Sequence, residues 1–199
     1  MSNCLCAQPP ARLRAGDARR TRFNQHIGAA TKHLRVNALD RAEGELEAAA
    51  KIANAKEAVM VAVLRSDVLC KRGEFGAAVN LLRQVLKNRT TKNADKFLGA
   101  ENNLAWLLSV APTKEIRDGA EAKKLATALY AKHQRHEMLD TLAAAHAECG
   151  EFKLAVKLQR QVVGAAGKHP QIDEYKERLN LYKAGKPFRL PGKMLRDLF

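Results

Sequence analysis

An all-α chain follows from three features of this sequence: its balance of residue types, apolar residues spaced three and four apart, and a segment that recurs. The 199 residues include 34 Ala and 25 Leu against 11 Val, 4 Ile and 10 aromatics. That excess of helix formers over β-branched and aromatic residues argues against a sandwich or barrel. The length suits one domain with a real core, or a short array of repeats. No apolar run approaches the roughly 18 residues needed to span a bilayer, which excludes an integral membrane protein. Four cysteines are too few for a disulfide scaffold.

The recurring segment runs from Gly73 to Leu86 and again from Gly150 to Val163, with nine of fourteen positions identical and no gap. Each shared feature has a mechanical reason. Gly73 and Gly150 supply the backbone freedom that ends one helix and starts the next. Phe75 and Phe152 open the second helix and pack back on the first. Ala78 and Ala155 are small because two helix backbones approach closely there. Leu81 or Leu82 and Val85 keep one apolar face. The offset of 77 residues equals two periods of 34 plus nine, so a helix-turn-helix unit carrying an insertion is expected between the two copies.

In chain order, residues 1–20 lack apolar periodicity, contain Pro9 and Pro10, and are expected to be disordered and basic. A repeat array is expected over 21–168, its first copy at 23–56. Phe23, Ile27, Ala30 and Leu34 mark the first helix of that copy, and Leu39, Ala42, Leu46 and Ala49 the second. Asn37 replaces the turn glycine, and Asn is the other residue that tolerates a left-handed turn. The second copy spans 59–90. The third, 98–133, opens with Asn102-Asn103-Leu104-Ala105-Trp106-Leu107-Leu108 and is stopped by Pro112. Thr113–Arg117 is the inserted loop, and Asp118 followed by Glu121 is a capping pair for the next helix. The fourth copy covers 136–168.

Residues 170–185 form a capping helix, with Ile172, Tyr175, Leu179 and Tyr182 spaced 3-4-3 and Gly185 and Pro187 beyond its end. The tail, 186–199, is basic but ends in Leu198-Phe199. It either packs on the array or serves as a short ligand for another protein.

These residues resemble the tetratricopeptide repeat family over about 23–168, most strongly at 59–90 and 137–168. The wider pattern, from Asn102 through the sequence LDTLAAAHAECGEF to LNLYKAGKPFR, is similar to the carboxyl-terminal repeats of many bacterial proteins of that family. The resemblance implies a right-handed α-solenoid of about four helix-turn-helix units closed by a C-terminal capping helix, and a binding role with no cofactor. It also implies that first helices line a concave, partner-binding groove. Counted from the aligned glycines, the groove positions are Asn24, Thr31 and Arg35 in copy one, and Met60, Val63, Asp67 and Lys71 in copy two. Copy three contributes Asn103 and Trp106, and copy four Glu137, Asp140 and Glu148. Asn103 is the most pointed, because an amide can pair with an extended peptide backbone through donor and acceptor together. Some members grip a peptide carboxylate with Lys and Asn in the first repeat. Here those positions hold Ile27 and Thr31 and only Asn103 fits, so that clamp is not expected, and the locally acidic groove suits a ligand with basic character.

Charge adds a second theme. Lys and Arg total 35 against 21 Asp and Glu, a formal +14. Residues 1–35 hold seven bases and one acid, residues 176–199 seven bases and two acids, leaving +3 for the 140 residues between. The excess at the ends either aids solubility or meets an acidic partner or nucleic acid. The start lacks a basic region followed by an apolar stretch, so the expected location is cytoplasmic. Cys4-Leu5-Cys6-Ala7 would instead fit the end of an export signal if the true start lies upstream.

Catalytic signals are weak. His133 and His136 have no third ligand nearby in sequence, so no metal site is expected. His146 sits at an aromatic position of the repeat and is read as core. Cys70 and Cys149 are read as buried small hydrophobes. The expected role is a non-enzymatic adaptor holding a protein segment in its groove. The alternatives are an RNA-binding helical repeat that uses basic tails, or the scaffold subunit of a larger complex.

Overall fold

The computed structural model describes residues 15–192, and among them there are nine α-helices and no strand. The helices are α1 (Ala15–Arg35), α2 (Leu39–Ile52), α3 (Ala55–Lys71), α4 (Phe75–Leu86), α5 (Leu98–Val110), α6 (Gly119–His133), α7 (His136–Glu148), α8 (Phe152–Ala166) and α9 (Ile172–Lys183). They pack sequentially, each on the next. In addition α1 touches α3, α3 touches α5 and α5 touches α7, so the odd-numbered helices form a continuous row.

The turns explain this order. Asn37, Gly73 and Gly150 have φ of 55°, 80° and 77°, the left-handed region that glycine and asparagine accept most readily. Around each, the residue after the turn donates its N–H five residues back: Ala38 to His33 O, Glu74 to Leu69 O and Glu151 to His146 O, at 2.8–2.9 Å. Three helix pairs therefore share one Schellman-type corner. The same corner ends α9, where Gly185 has φ 67° and Lys186 N–H donates to Leu181 O.

The α5–α6 junction is built otherwise. Helix α5 ends before Pro112, a short 3-10 turn covers Lys114–Ile116, and the Arg117 guanidinium donates to the carbonyls of Ala111 and Pro112, both at 2.8 Å. Asp118 then caps α6 by accepting from Glu121 N–H.

Small residues set how closely the helices approach. Ala42, Ala78, Ala122 and Ala155, each three residues after its helix begins, have no exposed surface. Leucines and aromatics fill the space between pairs: Phe23 and Leu46 around α1–α2, Phe75, Leu82, Leu104 and Leu108 in the middle, and Tyr175 and Tyr182 where α9 covers the end.

Three expectations are corrected. Helix α1 begins at Ala15, so residues 15–20 are helical rather than disordered; Arg19 holds this turn down by donating to Ile52 O at 2.7 Å and to Glu57 at 2.6 Å. Residues 1–14 lie outside the described part, as do 193–199. Cys149 is exposed rather than buried. His146, read as core, keeps 12 % of its side chain exposed, and its ring meets the exposed Glu151 carboxylate at the α7–α8 corner. Helix α3 also starts four residues ahead of the expected copy. Asn54 and Glu57 form a reciprocal capping box there.

Candidate functional site

The row of odd helices leaves a recess of about 900 Å³ along one side. Its lining comes from α1, α3, α5, α7, α9 with its N-cap Gln171, and the segment after α9. Of the twelve residues expected in the groove, eight line it: Thr31, Arg35, Asp67, Lys71, Asn103, Trp106, Glu137 and Asp140.

Four do not. Asn24 is exposed in the middle of α1 and Met60 on the second turn of α3. Val63 turns towards the core, where it meets the α5 backbone at Gly99. Glu148, at the end of α7, pairs with Arg117 and Arg189. The reason is positional. The recess uses the last turns of α1 and α3, the middle of α5 and the first half of α7 and α9, so it crosses the row diagonally. Equivalent positions in successive copies therefore do not share it.

At its centre Arg178 of α9 lies among three aromatic rings, with its guanidinium carbon 5.2 Å from Trp106, 5.1 Å from Tyr175 and 5.3 Å from Phe188. Beneath it is Asp140, 6 % exposed, which accepts from Arg178 Nε at 3.0 Å and from Gln159 Nε2 at 2.7 Å. Burial pushes the Asp140 carboxyl above the usual carboxylate range, opposed by Arg178 and Gln159. Asp140 is thus a structural partner under the recess floor, and its charge is already neutralised.

Asn103 is also partly committed. Its Nδ2 donates to Asp67 Oδ1 at 3.1 Å and reaches Ser66 Oγ at 3.4 Å. Burial raises the Asp67 carboxyl to about 6, with Asn103 and Lys71 pulling the other way. The neighbouring Asn102, which the sequence reading passed over, has a buried Oδ1 that accepts no hydrogen bond among the described residues. Cys70 borders the same wall. Burial pushes its thiol up to about 12, so it stays protonated and is a poor nucleophile.

The segment after α9 completes the recess. Leu190 N–H donates to Val110 O at 2.8 Å, and Arg189 donates to Ser109 O at 3.2 Å and pairs with Glu148. The Phe188 ring lies 5.9 Å from Trp106. Residues 186–192 therefore pack on the array and form one wall; the apolar end of the tail, Leu198-Phe199, lies outside the described residues. Basic and punctuated by Pro and Gly, this stretch gave little sign of packing except Phe188 and Leu190 themselves.

The ends of the recess differ in charge. Arg35 and Lys71 stand at the α1–α3 end, and Glu137 and Glu174 at the α7–α9 end. Beside the latter, His136 and His169 meet edge to face at 5.0 Å, and His169 stacks on Tyr175. No group of three or more His, Cys, Asp or Glu positioned to hold a metal occurs among the described residues, and none of their helices is long and apolar enough to cross a membrane. No protein-family model matches the chain, and neither the curated proteins nor the solved structures yield a match.

Proposed function

We propose that this chain is a helical-repeat adaptor of the tetratricopeptide type, a short α-solenoid without chemistry of its own, which holds an extended peptide segment in the odd-helix recess. The single observation that carries this reading is the recess itself: five successive odd helices and residues 186–192 converge on one polar-and-aromatic trough. Its features are those of peptide recognition. Asn102 Oδ1 is a buried acceptor without a partner among the described residues, and rotation of its amide would offer it to a backbone N–H. The Trp106–Phe188–Arg178 group is a rigid platform for a side chain, since its parts are already immobilised. A basic end and an acidic end set polarity, so the ligand carries its basic residue towards Glu137 and Glu174 and an acidic residue or carboxylate towards Arg35 and Lys71.

A peptide library selected on the full chain tests this. Binders are expected to share a basic residue on one side of an apolar one. A Glu137→Lys, Glu174→Lys variant is expected to lose that preference, and Asn102→Ala with Trp106→Ala to weaken the binders about tenfold or more. Binders that ignore both variants, or a library with no binder, would sink the reading.

A further inference from the structure

The side facing away from the recess carries its own signature. No residue of α2, α4, α6 or α8 lines the recess, and the last three of these helices are tied side by side. Arg83 of α4 pairs with Glu121 of α6, and Lys123 of α6 with Glu151 at the start of α8. The loop after α4 lies against the end of α6, where Arg89, Asp95, Lys132 and His133 surround one small cleft.

Positive charge is concentrated on part of this side. Residues 75–97, 119–135 and 151–170, which hold α4, α6, α8 and their following loops, contain 13 Lys and Arg but three Asp and Glu, a net of +10. Residues 16–192 as a whole contain 31 bases and 20 acids, a net of +11. Helices α4, α6 and α8 carry a net +6 of this and their flanking loops +4, while α1 holds five bases and one acid. Helix α2 has two bases and four acids, and α7, on the recess side, has three acids and no Lys or Arg. Among the odd helices α5 and α7 are net acidic, whereas α1 and α3 are net basic and α9 is balanced.

Much of this charge has no counter-ion. Lys87, Lys124, Lys132, Lys153, Lys157 and Arg160 are exposed and pair with no carboxylate among the described residues. Arg160 occupies the repeat position of Arg83 but lacks that residue's glutamate. Between these cations stand small exposed residues, Gly76 and Ala77 on α4, Thr127, Ala128 and Ala131 on α6, Gly164 and Ala165 on α8, together with the uncharged amides Asn80, Gln84 and Gln161. Leu154 is the one large apolar side chain exposed there, at 39 %.

We infer that the α4–α6–α8 face binds the phosphate backbone of a double-helical nucleic acid, without reading its sequence. The cations supply the electrostatic attraction that dominates such binding, and the small residues between them let the backbones approach. No exposed aromatic on this face offers a surface for stacking unpaired bases, which argues against a single strand. One exposed leucine is too little apolar area for a helix face that inserts into lipid. This surface lies apart from the peptide recess and stands whether or not a peptide binds there.

The test uses the full chain and labelled duplexes of roughly 20 base pairs, one DNA and one RNA of random sequence, followed by anisotropy over a range of salt. The wild type is expected to bind both, with log K falling steeply with log salt. A Lys124→Glu, Lys153→Glu, Lys157→Glu, Arg160→Glu variant is expected to bind about 30-fold more weakly and to lower that slope by about three. The same four positions as Gln, which keep the fold if the reversal does not, are expected to show a smaller loss in the same direction. Trp106→Ala is expected to leave duplex binding unchanged. A wild type that binds neither duplex, a slope unaltered by both quadruple variants, or binding to phosphatidylserine vesicles without binding to duplex would overturn the inference.

Discussion

The two copies of the recurring segment fold alike and yet fill their cores differently. Leu82 and Gln159 stand at the same repeat position, and both are fully buried. Their neighbours in the preceding helix differ in step: Val63 in α3 matches Asp140 in α7. One copy therefore closes with two apolar side chains, the other with a hydrogen-bonded pair that also takes Arg178 of α9. The difference lies in what comes next. Helix α4 is followed by another full pair, which packs by shape. Helix α9 is the last among the described residues, and a directional polar network fixes its register. A buried polar group is costly unless paired, so the network specifies one arrangement.

The comparison is broken most severely by removing Arg178. Arg178→Ala leaves Asp140 buried without its cation and is expected to cost about 3–5 kcal/mol in denaturant unfolding. Converting the whole network to the other copy's chemistry, with Asp140→Val, Gln159→Leu and Arg178→Met together, is expected to restore stability to within about 2 kcal/mol of the parent. A triple variant as unstable as the single one would show that the two copies are not equivalent.

A smaller effect comes from Asp67. Its carboxyl lies near 3.8 in an unfolded chain and is raised to about 6 by burial, so the folded state holds the proton more tightly. The contribution to stability is present at acidic pH and is lost as pH rises through about 6, leaving a cost of up to about 3 kcal/mol at neutral pH. Asp67→Asn keeps an acceptor for Asn103 and removes that cost. It is expected to stabilise the chain at about pH 8 and to make little difference near pH 4, measured by urea unfolding at both.

The smallest effect compares the two turn glycines. Both have positive φ, so alanine strains each by about 1 kcal/mol. A Cβ at Gly150 meets nothing within 4 Å, whereas one at Gly73 comes 3.2 Å from Gly192 O. Gly73→Ala is therefore expected to lower the melting temperature more than Gly150→Ala and to loosen residues 186–192, measured as faster amide exchange at Leu190.

Much of the helical organisation was legible in the sequence because it rests on local chemistry. Asn37, Gly73 and Gly150 marked corners that depend on backbone conformation alone, and Pro112 and Asp118 marked the irregular junction. The first turn of α1 was not legible. Arg19 is fixed by Glu57, 38 residues away, and a charged stretch reads as solvated. The Asp140–Arg178–Gln159 network escaped for the same reason: each member alone looks like a surface residue, and their pairing spans three helices. Eight of the twelve recess residues implied by the family resemblance line the recess, but its diagonal course depends on how successive pairs are offset. That offset comes from packing, and it moved Asn24, Met60, Val63 and Glu148 out and brought Asn102, Tyr175 and Phe188 in.

The sequence contains one tryptophan, Trp106, and it stands in the recess between Arg178 and Phe188. Titrating the full chain with a library-selected peptide, while following tryptophan emission and peptide anisotropy together, tests the central claim directly. Binding in the recess predicts a saturable change in emission with the same midpoint as the anisotropy. A rise in anisotropy that saturates with the emission unmoved would place the peptide elsewhere and contradict the account.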